Sequence, residues 1–361
     1  MSHPVVSWSE ARRVATALAG RDPGLAAYER DAMAADFAEL TSLAEELVEA
    51  ETGLRSARGP ARARVVDRAG WVEANLASFR RLLRPIEQRL ELTRSGQGRS
   101  LVSRRAEAAL SGVQVGLILA WMSTRVLGQY DQLLVEDECP EEQDFVYYVG
   151  PNIAQLERRY DFPPRELRLW LALHEVTHRA QFTGVPWMRD HFVSLVDRAL
   201  GGVETDPRRV LEALRRAAAD LRSGARPLDD GGLLALLATP EQRATLQEIG
   251  GLMSLLEGHG DVTMDRAALA RVPNAPRFSK TLRERRRRRG GARVVSSLVG
   301  LDAKLRQYEQ GEEFVRAVER AGGRELFDQV WRSPEWLPTL EEVRSPTRWL
   351  ERAGVAVPAA G

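Results

Sequence analysis

Residues 171–182 read LALHEVTHRAQF and contain an H-E-x-x-H motif formed by His174, Glu175 and His178. Residues four apart lie on one face of a helix, so both imidazoles can reach a single metal ion. The glutamate between them lies where it can take a proton from a metal-bound water. Because the chain has only 5 histidines in 361 residues, a chance match is uncommon. The motif therefore predicts a metal site on a helix.

The residues around the motif predict a helix over 164–183. Pro163 and Pro164, followed by Glu166, are typical of a helical first turn, and Gly184 with Pro186 ends the pattern. Apolar residues flank the histidines, and a buried imidazole pair needs polar partners. A shared metal ion would satisfy both rings. Apolar surface on this segment is supplied by residues that include Leu167, Leu171, Leu173 and Phe182.

Most of the chain has helical periodicity, which predicts a mainly α, multi-helix fold with a short β element near the metal motif. We expect one domain over 1–361, with a metal-site core at about 100–320 and N-terminal helices in 1–99 packed on it. The predicted helices are 8–20, 23–51, 65–93, 100–127, 164–183, 188–200, 206–223, 240–265, 294–319 and 323–332.

The predicted β element is DFVYYVG at 144–150, because this segment is rich in aromatic and β-branched residues and ends at Gly150-Pro151. One interpretation is a short structural ribbon. The other is an edge strand that aligns an extended substrate beside the metal. An exposed edge at this strand would favour a peptidase over a hydrolase of small molecules.

The most apolar segment, 112–123, is shorter than the roughly 20 residues that cross a bilayer, so we expect a buried core helix. A stripe of small residues lets another helix backbone approach this segment closely. We expect that partner to be the metal helix, which is the helix predicted over 164–183, by ridge-into-groove packing. The stripe consists of Ala108, Gly112, Gly116 and Ala120.

Composition excludes several classes of function. The 52 basic and 51 acidic residues give a formal charge of +1, which argues against nucleic-acid or membrane partners. Cys139 is the single cysteine, which excludes an internal disulfide and fits a reducing cytoplasm. The N-terminus has no signal-peptide pattern, so we expect a cytoplasmic protein. The arginine-rich run from Arg283 to Arg293 is interpreted as a solvated segment, with an anionic ligand as the alternative.

A catalytic zinc usually has three protein ligands, and the third is sought in LLEGHGDVTMD at 255–265. Glu257 and Asp261 share one helical face, whereas His259 is about 200° around the helix from Glu257, at about 100° per residue. A regular helix therefore cannot offer both Glu257 and His259 to one ion. We favour Glu257 over His259, because Asp261 one turn later could then accept the ring N–H of a ligating histidine, His174.

These residues carry a family resemblance that extends over nearly the whole chain. The chain resembles the zincin-like metallopeptidase type 2 family, which is largely actinobacterial and gluzincin-like. The segments that carry it are 65–75, 126–131, 149–153, 169–192, 257–265 and 304–315. The resemblance implies one zinc ion with His174, His178 and Glu257 as ligands and Glu175 beside them. One branch of this family, of about this length, is associated with genes for making a deazaflavin coenzyme.

The predicted reaction is hydrolysis of an amide or peptide bond, with Glu175 as general base and then acid. Tyr308 is nominated as the oxyanion donor, with Arg306 and His259 as rivals. The partners are then a peptide or a small amide, and the sequence predicts no oligomeric state. Two alternatives remain open. One is a zinc-dependent amidase of small molecules in deazaflavin coenzyme metabolism, and the other is a non-catalytic helical interaction protein with a structural metal.

Overall fold

The fold is mainly α-helical with one small sheet, as the periodicity predicted. The computed structural model describes residues 5–19, 24–94, 101–130, 144–201, 240–269, 271–288 and 301–355. In chain order the helices are α1 (Trp8–Ala19), α2 (Ala27–Thr52), α3 (Arg68–Arg94), α4 (Leu101–Ser123), α5 (Gly150–Tyr160), α6 (Pro164–Gly184), α7 (Met188–Gly201), α8 (Pro240–Ala268), α9 (Ala275–Arg288), α10 (Leu301–Phe327), α11 (Leu340–Arg344) and α12 (Pro346–Arg352).

Most predicted helices are present with similar bounds, including the metal helix α6. Helix α5 was missed because Gly150-Pro151 was taken as a stop, although proline is also favoured in a first helical turn. Helices α9, α11 and α12 were missed as well. Helix α10 is kinked at Gly322 and Gly323, whose dihedral angles are not helical, so the predicted break before a second helical segment at 323–332 is confirmed. That segment continues after Phe327 as the 3-10 helix Asp328–Trp331. The helix predicted at 206–223 lies outside the described residues.

The sheet has three strands, β1 (Arg62–Val66), β2 (Gly128–Tyr130) and β3 (Phe145–Val149), in the order β1-β3-β2. Strand β1 is parallel to β3, and β2 is antiparallel to it. Of the two interpretations of 144–150, the edge strand is therefore wrong, because β3 is paired on both sides. The sequence alone could not show this, since both partners of β3 are distant in the chain.

The chain forms two compact units. The first comprises Met1–Gly184 and Arg266–Phe278, and the second comprises Val185–Asp265 and Ser279–Gly361. The expected single domain, with its core at about 100–320, stays a prediction.

In the first unit, helices cover both faces of the sheet. On one face the ring of Tyr148 stacks on Phe37 of α2 at 3.7 Å between centroids, and its hydroxyl pairs with Thr41 at 2.8 Å. On the other face the indole N–H of Trp71 on α3 donates to Gln129 Oε1 at 2.9 Å. Helix α6 packs against α2 and β2 and buries most of its length. The motif helix is thus a core element of this unit.

The small-residue stripe of α4 contacts α1 and not the metal helix, so that expectation is wrong. A Cβ at Gly112 would overlap the carbonyl oxygen of Ser7, and one at Gly116 would lie 2.7 Å from that of Ala11. The stripe fits any helix backbone equally well, so its partner depends on the tertiary arrangement.

The opposite face of α4 is exposed, with Leu110, Leu117 and Ile118 at 61%, 49% and 42% exposure. The expectation of a fully buried core helix is therefore wrong for this face. Its segment Ser103–Ser123 is long and apolar enough to cross a membrane by length and composition alone, a test that core helices of soluble proteins also pass. The absence of a membrane partner stays a prediction.

In the second unit, α8 and α10 cross with their backbones in contact at Gly258 and Gly311. A Cβ on either glycine would overlap backbone atoms of the other helix. The backbone nearest to Gly258 is therefore that of α10. The apolar core beside this crossing includes Phe314, Val318 and Trp349. The crossing fixes the α8 backbone immediately after Glu257.

Candidate metal centre

The two motif histidines of α6 direct their Nε2 atoms toward each other. These atoms are 3.3 Å apart, and the rings meet at 83°. His178 is buried and His174 is half-buried. A tetrahedral ion with metal–nitrogen bonds of about 2.05 Å would separate two ligand nitrogens by about 3.3 Å. The imidazole pair therefore already has the spacing that a shared tetrahedral ion requires.

A residue that the sequence analysis missed orients His178. Gln181, one turn further along α6 and fully buried, places its Oε1 2.9 Å from His178 Nδ1. An amide oxygen only accepts hydrogen bonds, so Nδ1 carries the proton and Nε2 keeps its lone pair. This is the tautomer that a metal ligand needs. In the sequence, this contact was indicated by the position of Gln181 three residues after His178 on one helix.

The carboxylate of Glu175 is buried and contacts the edge strand β2. The backbone N–H of Tyr130 donates to Glu175 Oε2 at 3.2 Å. Gly128, two residues earlier in β2, lies directly against the same side chain. The predicted β element beside the motif therefore exists, but its strand nearest to Glu175 is β2 and not residues 144–150.

Tyr148 lies behind the motif in the same core. Burial raises the pKa of its phenol far above the usual range, and the charge of Glu175 raises that pKa further. Its hydroxyl pairs with Thr41. Tyr148 thus stays protonated and serves as part of the wall behind the carboxylate.

Arg179, the residue after His178, is the centre of a buried ion-pair network. Its guanidinium bonds Asp144 at 3.0 and 2.6 Å, Glu45 at 2.6 Å and the carbonyl oxygen of Gly59 at 2.8 Å. Burial, with Asp144 nearby, also raises the pKa of Tyr130. The network attaches the metal helix to α2 and to the start of β3. Sequence reasoning gave no indication of it.

His174 and His178 offer two imidazole donors from the first unit, whereas Glu257 lies on α8 in the second unit, and its role as the third ligand stays a prediction. Two imidazoles and one carboxylate are a common donor set for a catalytic zinc ion. The residues present therefore fit a zinc ion by donor chemistry and by the spacing of the imidazole nitrogens.

His259, the rival ligand, lies in an aromatic cluster of the second unit. Its ring stacks with Phe327 at 5.4 Å, meets Trp331 at 5.1 Å, and its Nε2 is 3.5 Å from Thr263 Oγ1. These are packing contacts, and a role of His259 as ligand or oxyanion donor stays a prediction. Asp261 lies on α8 one turn after Glu257, and its contact with His174 stays a prediction.

The other nominated residues lie on elements that are described only in part. Tyr308 and Arg306 belong to α10, but their side chains are outside the described residues. The arginine-rich run begins in α9, and its part beyond residue 288 is also outside them. Their roles stay predictions.

Comparison with known proteins adds two findings. A family model described as zincin-like metallopeptidase matches residues 6–350. A crystal structure from Chloroflexus aurantiacus, described as "a putative hydrolase with a novel fold", is similar with a TM-score of 0.70 and 32% sequence identity. That match covers 98% of this chain and 100% of the other. No curated protein matches the chain.

Proposed function

Because the chain belongs to the zincin-like metallopeptidase family, we propose that it is a zinc-dependent hydrolase that cleaves an amide or peptide bond. The observation that carries this proposal is the pair of imidazole Nε2 atoms 3.3 Å apart, with the Glu175 carboxylate on the same turn of α6. The hydrolase description of the similar crystal structure agrees with it.

His174, His178 and Glu257 are the proposed ligands of one zinc ion. The 3.3 Å separation of the two Nε2 atoms and the bond between Gln181 and His178 Nδ1 support the two histidines, and Glu257 is the carboxylate that the sequence favours as the third ligand. Asp261 is proposed to orient a ligating histidine from α8. Three protein ligands leave one position for water or substrate, which is typical of catalytic zinc.

The proposed reaction uses Glu175 as the proton carrier. Zinc in such a site makes water acidic near neutral pH and polarises a carbonyl group. Glu175 takes a proton from the attacking water and delivers it to the leaving nitrogen. The N–H of Tyr130 holds one carboxylate oxygen while this happens. Tyr308, Arg306 and His259 are the candidates for a donor to the oxyanion.

Two substrate classes follow from the same chemistry. The family supports a peptide substrate. The second class, a small amide, needs the same chemistry and no strand to align it. The finer assignment, to an actinobacterial branch linked to deazaflavin coenzyme metabolism, is proposed for this second class. A cytoplasmic location and no nucleic-acid partner are proposed from the single cysteine and the balanced charge.

The zinc content of the purified protein tests the proposal. After reconstitution and removal of loosely bound metal, we expect about one zinc per chain, the number that three converging ligands hold in a catalytic site. His178→Ala removes one ligand and should hold none under the same conditions. Native mass spectrometry and elemental analysis give both numbers.

His191→Ala is the matched control, because His191 lies on α7 against Trp187 and is no proposed ligand. This variant should keep its zinc. Glu257→Gln should lower the zinc affinity and His259→Gln should not, which separates the two rival ligands. Wild-type protein without stoichiometric zinc would contradict the proposal. Peptide pools and small N-acyl amides, offered separately, distinguish the substrate classes.

Gln181→Leu is expected to weaken zinc binding by about 10- to 100-fold, the usual effect of removing a partner that orients a ligating histidine. The leucine cannot accept from His178 Nδ1, so the ring loses its fixed tautomer. Gln181→Glu keeps an acceptor at the same place and should retain most of the affinity. Competition with a chromophoric chelator measures all three dissociation constants. Equal affinities for the leucine and glutamate variants would show that Gln181 only packs.

A further inference from the structure

Strand β2 leaves no room between its backbone and the side chain of Glu175. A Cβ added to Gly128 would lie 2.7 Å from Glu175 Cγ and Oε1 and 2.9 Å from Cδ. Two residues later, the N–H of Tyr130 donates to Oε2 of the same carboxylate at 3.2 Å. Gly128 and Tyr130 therefore both contact the Glu175 side chain. Gly128 allows the contact because it has no side chain of its own, and Tyr130 donates a backbone hydrogen bond.

The strand itself is fixed by its other contacts. Its partner β3 holds one edge, with Gly128 opposite Tyr148. Between the two contact residues, Gln129 points to the opposite face, where its side chain bonds Trp71 at 2.9 Å and Asn75 at 2.5 Å. Because these bonds resist movement of β2, a clash at Gly128 is relieved by the flexible end of Glu175.

The turn that leads into β2 is fixed as well. Asn152, buried in α5, donates from Nδ2 to the carbonyl oxygens of Ser123 and Val126 at 2.7 and 2.6 Å. These residues lie between the end of α4 and the start of β2. The approach of Gly128 to Glu175 is thus determined by three neighbouring elements, α3, α5 and β3.

We propose that β2 is the positioning strand of the catalytic carboxylate, with Gly128 as the positioning residue that lets the strand hold Glu175 through the Tyr130 N–H. The catalytic consequence rests on the proposed function, whereas the contact itself does not. With Oε2 held by the strand, the carboxylate has a fixed rotation, which a proton carrier needs at the moment of transfer. Any side chain at position 128 removes that orientation.

Gly128→Ala is a sharp test because only the steric contact changes. Gly128 does not have a left-handed backbone conformation, so alanine is compatible with its dihedral angles. We expect the variant to fold, to keep stoichiometric zinc, and to lose turnover of a fluorogenic peptide pool by about 100-fold, the effect of a misplacement of about 1 Å. The kcat should fall while KM stays close to the wild-type value.

A double-mutant cycle with Glu175→Ala provides a measurement that does not depend on activity. In the wild-type background, Gly128→Ala should lower the melting temperature by roughly 2–4 °C, because the carboxylate loses its backbone donor. In the Glu175→Ala background the added methyl group meets no carboxylate, and this loss should disappear.

Equal losses of melting temperature in the two backgrounds would overturn the proposal, because Gly128 would then matter only for the packing of β2. Full turnover in Gly128→Ala would overturn it too. If wild-type protein hydrolyses no peptide or amide, the proposed function fails, but the cycle still decides whether Gly128 and Tyr130 position Glu175. The two failures are therefore distinguishable.

Discussion

Glu175→Gln is expected to keep about one zinc per chain and to lose turnover by roughly 10²- to 10⁴-fold, the range that a general base contributes. Glutamine has nearly the same shape as glutamate, and its amide oxygen can still accept the Tyr130 N–H. The glutamine side chain cannot take a proton from water at neutral pH. The change thus removes the proton carrier and leaves the metal ligands in place.

The measurement is steady-state hydrolysis of whichever peptide or amide the wild-type protein cleaves, with zinc content determined on the same samples. Glu166→Gln is the matched control, because it makes the same substitution on the same helix, where the carboxylate accepts hydrogen bonds from the backbone and side-chain nitrogens of Asn274. This control should keep its turnover. A Glu175→Gln protein with wild-type turnover would show that another group carries the proton.

The sequence predicts the metal helix well because its signals are local. Pro164 and Gly184 bound α6 as expected, and the spacing of His174 and His178 requires nothing beyond helical geometry. The mainly α class follows from periodicity in the same way. The choice of Glu257 over His259 as the third ligand stays a prediction, which rests on the helical turn that relates Glu257 to Asp261.

The contacts that complete the site are distant in the chain, and this is why they were not predicted. Tyr130 meets Glu175 across 45 positions. Strand β1 was not predicted, and its last two residues fall in the predicted helix 65–93, since its pairing with β3 appears only in the folded chain. The residues around Gly128 are typical of an ordinary turn, and only the structure shows which side chain lies against this glycine. The partner of the stripe on α4 was misassigned for the same reason.

Arg179 is the residue for which sequence and structure differ most. A charged residue beside a motif histidine suggests a solvated surface, yet the Arg179 side chain is 1% exposed. Its two acidic partners, Glu45 and Asp144, come from segments far apart in the chain. Local periodicity contains no information on such a network, because each member is buried only when the others neutralise it.

Arg179→Met is expected to lower the free energy of unfolding by about 3–5 kcal/mol, the usual cost of removing one partner from a buried ion pair. Methionine fills part of the space but leaves Asp144 and Glu45 without their cation, and the carbonyl of Gly59 loses a donor. A charge-assisted bidentate pair is also among the strongest hydrogen-bonded contacts in proteins. The loss of unfolding free energy should therefore exceed the loss caused by removing one partner of a described surface ion pair.

Arg165→Met on the same helix is the matched control. Arg165 also pairs with two carboxylates, Asp36 and Glu39, but its side chain is 54% exposed. Exposed pairs contribute about 0–1 kcal/mol, so this variant should unfold close to wild type. Urea unfolding of the metal-free proteins, followed by circular dichroism, measures both changes without zinc contributing to stability. Similar losses in the two variants would mean that burial adds nothing to the Arg179 network, and that α6 is held mainly by its apolar contacts with α2.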